Sequence, residues 1–280
     1  MGLRLRWRSA TRLPVEADGL LPDALAGRPA AEVSRLRLSV GNATAEVGEL
    51  FDVTEEKGID PLITLSGDLS PLRGLGRGMR AGAIVLEGTA GPYLGLGMAG
   101  GVIEVQGSAG DWAGAEMAGG TIRILGDAGL GLGSALPGSR LGMREGVILV
   151  NGSAGEEAGH KMRRGLIAVA GALGPFAGRA MIAGTIVAFG PVGPHPGMAM
   201  KRGTIVLVGR ESPRLLPTFA PTGSYRFPFL ALYFKELARA GLPVPARVFS
   251  SEFRRYNGDL AEGGHGEILA ETFTDQGVTG

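Results

Sequence analysis

The sequence contains no cysteine, few histidines and no long apolar segment. Without cysteine there are no disulfides, thiolate metal sites or cysteine nucleophiles. The three histidines, His160, His195 and His265, do not stand at a metal-ligand spacing such as H-x-x-x-H. No apolar run is long enough to span a bilayer, and the first residues lack the apolar core of a secretory signal. We therefore expect a cytoplasmic protein with no membrane partner.

The charge balance excludes further classes of function. The 280 residues carry 28 basic and 27 acidic side chains, a net charge of +1. Because such a chain has no overall attraction for a polyanion, we expect no nucleic acid partner. The acidic residues of the middle region do not recur at one position. This argues against a glycan-cleaving enzyme, which needs carboxylates clustered on one face.

Glycine, in contrast, is abundant, with 50 residues, and it follows a tandem repeat. The pattern G-x-I-x-x-x-G, first seen at Gly82–Gly88, recurs with its isoleucine every 19 residues. One interval is seven residues longer, which we ascribe to an insertion at Gly131–Gly138. A methionine stands five residues before each isoleucine, so seven of the nine methionines occupy one repeat position. The methionines are Met79, Met98, Met117, Met143, Met162, Met181 and Met200, and the isoleucines are Ile84, Ile103, Ile122, Ile148, Ile167, Ile186 and Ile205.

A fixed short period is typical of a solenoid, in which each repeat buries its apolar face against its neighbours. Nineteen residues are too few for two helices but fit one turn of a parallel β-helix. Each repeat contains a short β-branched run bounded by glycine, which predicts a strand. The predicted strands are Ala83–Glu87, Val102–Gln106, Thr121–Leu125, Val147–Asn151, Leu166–Ala170, Thr185–Phe189 and Thr204–Val208. The predicted fold class is therefore all-β, with a parallel β-helix at its centre.

The two flanks are predicted to cover the ends of this solenoid, whose open coils would otherwise expose backbone and core. The N-terminal cap is residues 1–62, with a two-residue hairpin turn at Gly41–Asn42. Residues 63–209 form the β-helix. Residues 210–280 form a C-terminal cap and tail, in which the repeat is absent.

The C-terminal flank contains one predicted helix. Phe229–Ala240 has an amphipathic pattern, with Pro228 at its start and Gly241 just after its end. We expect this helix to pack over the terminal coil or over a neighbouring subunit. The following tail is polar and rich in turn residues.

Three patterns have both a functional and a structural interpretation. Gly95–Gly100 matches the dinucleotide-binding motif G-x-G-x-x-G, but equivalent glycines recur in neighbouring repeats, so we interpret them as corners. The methionine column offers soft ligands for copper, but flexible methionines also fill irregular core space, which we favour. The insertion is either part of a functional surface or a surface loop without a function. His160 falls at a corner, where a solvated turn is expected.

One charged feature is more specific. Basic residues follow the methionine at equivalent positions of three repeats. They are Arg144, Arg163, Arg164, Lys201 and Arg202. Stacked coils would align them on the outer surface, where they would contact an acidic partner or a polyanionic ligand tail. The alternative is an ordinary solvated face. We predict no catalytic, cofactor-binding or metal-ligating residue in the chain.

The repeat and its flanks together resemble the C subunit of formylmethanofuran dehydrogenase and the C subunit of the bacterial formyltransferase/hydrolase complex. The coil sequence Gly95–Gly101 is also similar to the C-terminal domain of the large glutamate synthase subunit. The lead-in Leu50–Val53 and the tail segments Phe253–Asp259 and Gly264–Ile268 match the first two families. The tail departs from them in having His265 where lysine is expected. The resemblance implies a right-handed parallel β-helix.

The resemblance also implies a non-catalytic scaffold subunit of a larger complex. In the bacterial complex, a formyl group passes from 5-formyl-tetrahydromethanopterin to a methanofuran-type carrier and is then released as formate, a step of formaldehyde oxidation. Formyl transfer would belong to the D subunit and hydrolysis to an amidohydrolase-like A subunit, with the B subunit as a third partner. The chain itself would hold no cofactor. The five basic residues would meet a partner or the polyglutamate tail of the carrier.

Two alternatives remain open. The chain is the C subunit of a molybdenum- or tungsten-containing formylmethanofuran dehydrogenase, whose metal and iron–sulfur centres other subunits would hold. Or it is a stand-alone β-helix that acts as an enzyme or a binding module. The composition, biased towards alanine, arginine, glycine and leucine, favours the bacterial complex.

Overall fold

The protein is mostly β, as predicted, with one large, mostly parallel sheet. The computed structural model describes residues 2–56, 61–209 and 213–272. Within these ranges 13 strands form the large sheet and four form a small one. Helices are few, and none of those described is long and apolar enough to cross a membrane.

The N-terminal segment combines short strands with single-turn helices. In chain order these are β1 (Gly2–Trp7), β2 (Val15–Glu16), α1 (Pro22–Leu25), α2 (Ala30–Val33), β3 (Arg37–Val40), β4 (Ala43–Glu46), α3 (Val47–Leu50) and β5 (Phe51–Glu56). Strands β3 and β4 pair antiparallel with Val40 opposite Ala43, which confirms the hairpin turn at Gly41–Asn42. Gly41 has a φ of 56°, a left-handed conformation that glycine adopts without a Cβ clash.

The middle of the chain supplies the parallel strands. They are β6 (Leu62–Ser66), β7 (Leu72–Arg73), β8 (Ala83–Glu87), β9 (Ala99–Val105), β10 (Ala118–Ile124), β11 (Glu145–Val150), β12 (Leu166–Val169), β13 (Thr185–Ala188) and β14 (Arg202–Leu207). From β8 to β14 every predicted strand is present, and each begins at most three residues before its predicted start.

Neighbouring repeats pair in parallel with isoleucine opposite isoleucine. Ile84 lies opposite Ile103, and the pairing continues through Ile122, Ile148, Ile167, Ile186 and Ile205. A second ladder of single parallel bridges joins Ala90, Ala109, Ala128, Ala154, Leu173 and Val192. Each repeat is therefore hydrogen-bonded to the next at two places.

The isoleucine and methionine columns form the core. All seven isoleucines and all seven methionines are fully buried, which confirms the interpretation of the methionines as a core ladder. The ε-methyl group of each methionine fills the space beside the glycine that stands two residues before the isoleucine of the next repeat. A Cβ on Gly120 would lie 2.6 Å from Met98 Cε, and one on Gly146 would lie 2.7 Å from Met117 Cε. Glycine leaves this space to the methionine, and at Gly120 the φ of 83° and the Gly101 carbonyl oxygen, 2.8 Å from a Cβ, also favour glycine.

The glycine-rich stretch beginning at Gly95 is a corner, as we interpreted it. Gly95 and Gly97 both have positive φ, and strand β9 follows them instead of a helix. A Cβ on Gly95 would lie 2.6 Å from Ile122 Cδ1, so glycine leaves the space that this core side chain fills. The position two residues earlier also has positive φ but tolerates side chains. In five repeats it is Tyr93, Trp112, Glu157, Phe176 or His195, with φ between 57° and 63°, and in the repeat between Trp112 and Glu157 it is Gly131, with a φ of 70°.

The insertion lies later than predicted. Gly133 keeps the regular repeat geometry, because a Cβ there would meet Ile167 Cδ1 at 2.7 Å, like the equivalent glycines of other repeats. Its carbonyl also accepts the usual hydrogen bond, from the N–H of Met143 at 2.9 Å. The extra residues therefore fall between Ser134 and Met143, so the prediction of Gly131–Gly138 is right for its second half and wrong for Gly131–Gly133, which belong to the regular repeat.

The C-terminal flank returns to the large sheet. Its elements are β15 (Ala220–Tyr225), α4 (Pro228–Arg239), the 3-10 helix Ala246–Phe249, β16 (Phe253–Gly258), the 3-10 helix Leu260–Glu262 and β17 (His265–Glu271). Strand β17 pairs in parallel with β14, with a fully buried Ile268 opposite Ile205. The prediction that the repeat is absent after residue 209 was therefore wrong. Gly266–Glu267–Ile268 is a further copy of the G-x-I pattern.

Helix α4 confirms the predicted helix, and it covers more of the sheet than the predicted terminal coil. It buries Leu230, Phe234 and Leu237 in a second apolar cluster on the outer face of the large sheet. The residues of this cluster that lie in strands of this sheet or directly after them are Leu149, Ala168, Val187, Phe189, Val206, Val208 and Leu269. The helix thus belongs to a layer that covers strands β11 to β14 from the side, rather than only the terminal coil.

Candidate partner-binding groove

The backbone of the repeat places the predicted basic residues at one corner. Each methionine is buried, and the chain turns outward immediately after it. The N–H of Arg163 donates to the Met143 carbonyl at 2.8 Å, and the N–H of Lys201 donates to the Met181 carbonyl at 2.8 Å. The residue after each methionine is therefore bonded to the methionine of the preceding repeat. Side chains at this position consequently stack from one repeat to the next.

Four of the five predicted basic residues meet in one pocket of about 480 Å³, which we call the cationic groove. Two cation pairs form its sides, and residues 182 and 183 of the intervening repeat lie between them. The lining consists of Arg163, Arg164, Ile182, Ala183, Lys201, Arg202, Glu262 and His265. With histidine neutral, four cations and one carboxylate give the groove a charge of +3.

Arg144 does not line this groove, although it follows Met143 in the same way. It is exposed and precedes Glu145, which lines a neighbouring open depression of about 550 Å³. That depression also contains Arg164 and the helix residue Tyr233. Arg164 thus belongs to both concave surfaces. The five residues do not form a single uniform stripe.

The cations of the groove are free to bind an external anion. Across the parts of the chain that the structure describes, the side chains of Arg163, Arg164, Lys201 and Arg202 form no hydrogen bond or ion pair. Other arginines are paired, for example Arg255 with Glu267 at 2.9 Å. Unpaired guanidinium groups in a concave site are suited to bidentate binding of carboxylates or phosphates.

Comparison with known proteins identifies the family. Among curated proteins, the chain is similar to the C subunit of molybdenum-containing formylmethanofuran dehydrogenase 1 from Methanothermobacter thermautotrophicus, with 39% identity over 91 residues, 32% of this chain and 23% of that protein. It is also similar to the C subunit of tungsten-containing formylmethanofuran dehydrogenase 2 from Methanococcus maripaludis, with 34% identity over 92 residues, 33% of this chain and 34% of that protein. The match thus spans about a quarter to a third of the curated relatives. No model of a known protein family matches the chain.

A solved structure extends the similarity to nearly the whole chain. It is that of the formyltransferase/hydrolase complex from Methylorubrum extorquens in complex with methylofuran. The TM-score is 0.86 and the identity 35%, over 96% of this chain and 100% of that chain. The chain belongs to the C-subunit family. The resemblance found in the sequence is thereby confirmed.

The groove of this C-subunit family member also contains residues that we did not predict. Glu262 and His265 come from the tail, and a buried carboxylate, Asp259, holds them in place. Asp259 Oδ2 accepts from the N–H of Ala199 at 3.0 Å, and Oδ1 accepts from the N–H of Ala261 at 3.1 Å. The available sequence signal was the G-x-I triplet directly after His265, which marks a strand of the same sheet.

The pKa of Asp259 lies below its ordinary value. Burial raises the pKa, but the neighbouring Thr218 hydroxyl and the hydrogen bonds from the N–H groups of Ala199 and Ala261 together lower it by more. The carboxylate therefore stays ionised under mildly acidic conditions. Because the Ala199 N–H belongs to the last repeat, this ion fastens the tail beside Lys201.

The remaining histidines lie elsewhere. His160 is not a solvated turn residue, since its side chain is only 17% exposed and Nδ1 lies 3.6 Å from Glu157 Oε2. Burial lowers the pKa of His160, as do Lys161 and Arg179, while Glu157 opposes them. His195 stacks on Phe176 with ring centroids 5.8 Å apart. Within the described ranges, no group of three or more His, Asp or Glu side chains is arranged to hold a metal ion.

Proposed function

We propose that this chain is the non-catalytic structural subunit of a formyltransferase/hydrolase complex. The observation that carries the proposal is the match to the Methylorubrum extorquens complex over 96% of this chain and 100% of that chain. The complex would transfer a formyl group from 5-formyl-tetrahydromethanopterin to a methanofuran-type carrier and hydrolyse it to formate. That structure contains methylofuran, which supports a carrier of this class.

The proposed scaffold is a right-handed parallel β-helix with a 19-residue period. It spans residues 63–209, with residues 1–62 and 210–280 as its caps. Two observations support it: the in-register isoleucine pairing and the second ladder of bridges from Ala90 to Val192. Two hydrogen-bonded ladders per repeat are what a stacked coil requires.

The proposed partners are the amidohydrolase-like A subunit, the B subunit and the formyltransferase D subunit of the same cytoplasmic complex. Arg144, Arg163, Arg164, Lys201 and Arg202 contact an acidic surface of a partner or the polyglutamate tail of the carrier. The charge of +3 in the cationic groove supports this role. This chain holds no cofactor of its own.

Native affinity purification followed by mass spectrometry tests the proposal. We expect amidohydrolase-like and formyltransferase subunits in stoichiometric amounts, without molybdenum or tungsten. The 39% identity to a molybdenum enzyme favours the dehydrogenase as the second candidate, and bound molybdenum or tungsten would establish it. A wild-type chain that purifies alone would contradict both and favour a stand-alone module.

Charge reversal tests the role of the groove. We expect Arg163→Glu combined with Lys201→Glu to reduce the bound carrier or a partner subunit at least tenfold, because both positions change from attraction to repulsion of an anion. The matched control is Arg35→Glu combined with Arg140→Glu, which reverses two exposed arginines outside the groove. An intact complex with its full carrier content in the groove variant would refute this role.

A further inference from the structure

Large apolar side chains are exposed mainly around helix α4. Among the described residues, the nine exposed large apolar side chains include five between positions 225 and 249. Four of these form what we call the aromatic surface: Tyr225 (51% exposed), Phe229 (42%), Leu232 (65%) and Tyr233 (37%). Single exposed apolar residues are normal on a protein surface, but a contiguous group marks an interaction site.

The aromatic surface is contiguous. Edge-to-face ring contacts run from Tyr225 to Phe227 at 6.0 Å, to Phe229 at 5.9 Å and to Tyr233 at 6.4 Å between centroids. Leu232 lies three residues after Phe229 in α4 and thus on the same helical face. The four residues therefore form one continuous patch, unlike the single exposed apolar residues found on most protein surfaces.

Folding alone does not explain this patch. A surface helix needs one apolar face towards the core, and α4 already provides it with Leu230, Phe234 and Leu237. The α4 residues of the aromatic surface, Phe229, Leu232 and Tyr233, are a second apolar face of the helix, directed away from the sheet. Because the first face fixes the helix to β11–β14, the second is rigid before any partner binds. Such preorganisation lowers the entropy cost of binding.

The charge next to the patch indicates what covers it. Tyr233 lines the 550 Å³ depression together with Arg164, and Arg164 also lines the cationic groove. The apolar patch therefore continues directly into a region of charge +3 whose cations form no ion pairs among the described residues. A second copy of this chain would present the same unpaired cations, so charge complementarity favours a different protein.

We propose that the aromatic surface and the cationic groove form one docking site for a partner subunit that presents apolar side chains beside acidic ones. This inference rests on the proposed function, since it requires a partner subunit. The apolar anchors lie over Phe229, Leu232 and Tyr233, and carboxylates of the partner pair with Arg164 and its neighbours. Aromatic residues and arginine are the side chains that most often dominate the energy of such interfaces.

The test uses the purified chain and the subunit identified by its co-purification. We expect Phe229→Ser combined with Leu232→Ser to weaken binding at least tenfold at both low and high salt. Arg164→Glu should weaken it by a similar factor at low salt and much less at high salt, because salt screens exposed charges. Leu13→Ser combined with Val102→Ser is the matched control, since these exposed apolar residues lie elsewhere. Circular dichroism confirms that each variant is folded.

Cross-linking provides a second readout that does not depend on affinity. A photoreactive amino acid at position 232 should capture the acidic partner subunit in the assembled complex. Unchanged affinity of the serine variant, or a cross-link to a second copy of this chain, would overturn the docking site while leaving the proposed function intact. A wild-type chain with no partner at all would overturn the proposed function first.

Discussion

The corner glycines allow a comparison in which backbone strain is held constant and only packing changes. Gly97 and Gly114 both have a φ of 64°, so alanine encounters the same left-handed conformation at either position. A Cβ on Gly97 has no atom within 4 Å, whereas a Cβ on Gly114 would lie 2.5 Å from Ile148 Cδ1 and 3.3 Å from Ile122 Cδ1. The two substitutions, Gly97→Ala and Gly114→Ala, therefore differ mainly in core packing.

The expected magnitudes follow from these contacts. The left-handed conformation costs alanine about 1–2 kcal/mol, and the loss of glycine's freedom in the unfolded chain returns about 0.4–1 kcal/mol. Gly97→Ala should thus lower the free energy of unfolding by about 1 kcal/mol. Gly114→Ala adds the strain of an overpacked core, about 1–3 kcal/mol. The two isoleucine side chains are fully buried and have little space into which to move.

Urea unfolding monitored by circular dichroism measures this difference. The slope of the transition must be compared as well as its midpoint, because solenoids can unfold in parts. Equal destabilisation by the two substitutions, within about 0.5 kcal/mol, would mean that the core accommodates the methyl group. The steric explanation for the central glycine would then be refuted.

Two further predictions concern the tail and the core. Asp259→Asn should destabilise the protein by roughly 1.5–3 kcal/mol, because it weakens charge-assisted hydrogen bonds. The pKa of Asp259 is depressed in the folded protein, so its stabilising contribution is complete above the unfolded pKa of about 3.9 and is lost as the pH falls through the folded pKa. Denaturation at several pH values should show that the difference in unfolding free energy between wild type and variant disappears only below about pH 4. A difference that disappears near neutral pH would contradict this. Met162→Ala should lower the free energy of unfolding by about 2–5 kcal/mol through the cavity it leaves, whereas Met162→Leu should lower it by less than about 1.5 kcal/mol. Equal thermal stabilities for wild type and Met162→Ala would contradict a close-packed methionine ladder.

The sequence predicts the repeated strands well because their signal is local. Each isoleucine faces the equivalent isoleucine of the next repeat, so a fixed spacing translates directly into register. The final strand was missed because Ile268 follows Ile205 by 63 residues, far from the 19-residue period. Helix α4 and strands β15 and β16 occupy that interval. A search for the G-x-I triplet without a fixed spacing would have found it.

The sequence of the strands also indicates where α4 covers the sheet. Strand β9 alternates apolar and polar residues in Ile103–Glu104–Val105, as expected when one face meets solvent. Strand β13 is continuously apolar in Ile186–Val187–Ala188, and all three residues are buried. A strand without alternation is covered on both faces. This difference between early and late repeats predicts a covering layer, although not which segment supplies it.

Only the part of the cationic groove that comes from the repeats could be predicted from the sequence. Its arginines and lysine follow buried methionines, so the repeat fixes their place. Glu262 and His265 are brought there by the hydrogen bonds of Asp259 to Ala199, a contact between residues 60 positions apart. No periodic pattern encodes a contact of this kind. The sequence pattern therefore predicts the basic residues that line the groove, but not Glu262 and His265 from the C-terminal tail.

The two outermost strands of the large sheet have a consequence for solubility. A stack of parallel strands resembles the core of an amyloid fibril, and an open end would recruit further chains. Here both ends are antiparallel: β5 closes one against β1, and β15 closes the other against β16. Strand β15 contains Pro221, which has no N–H to donate, and β5 exposes Asp52 and Glu55. Growth of the sheet by addition of further chains is thus disfavoured at both of its outer strands.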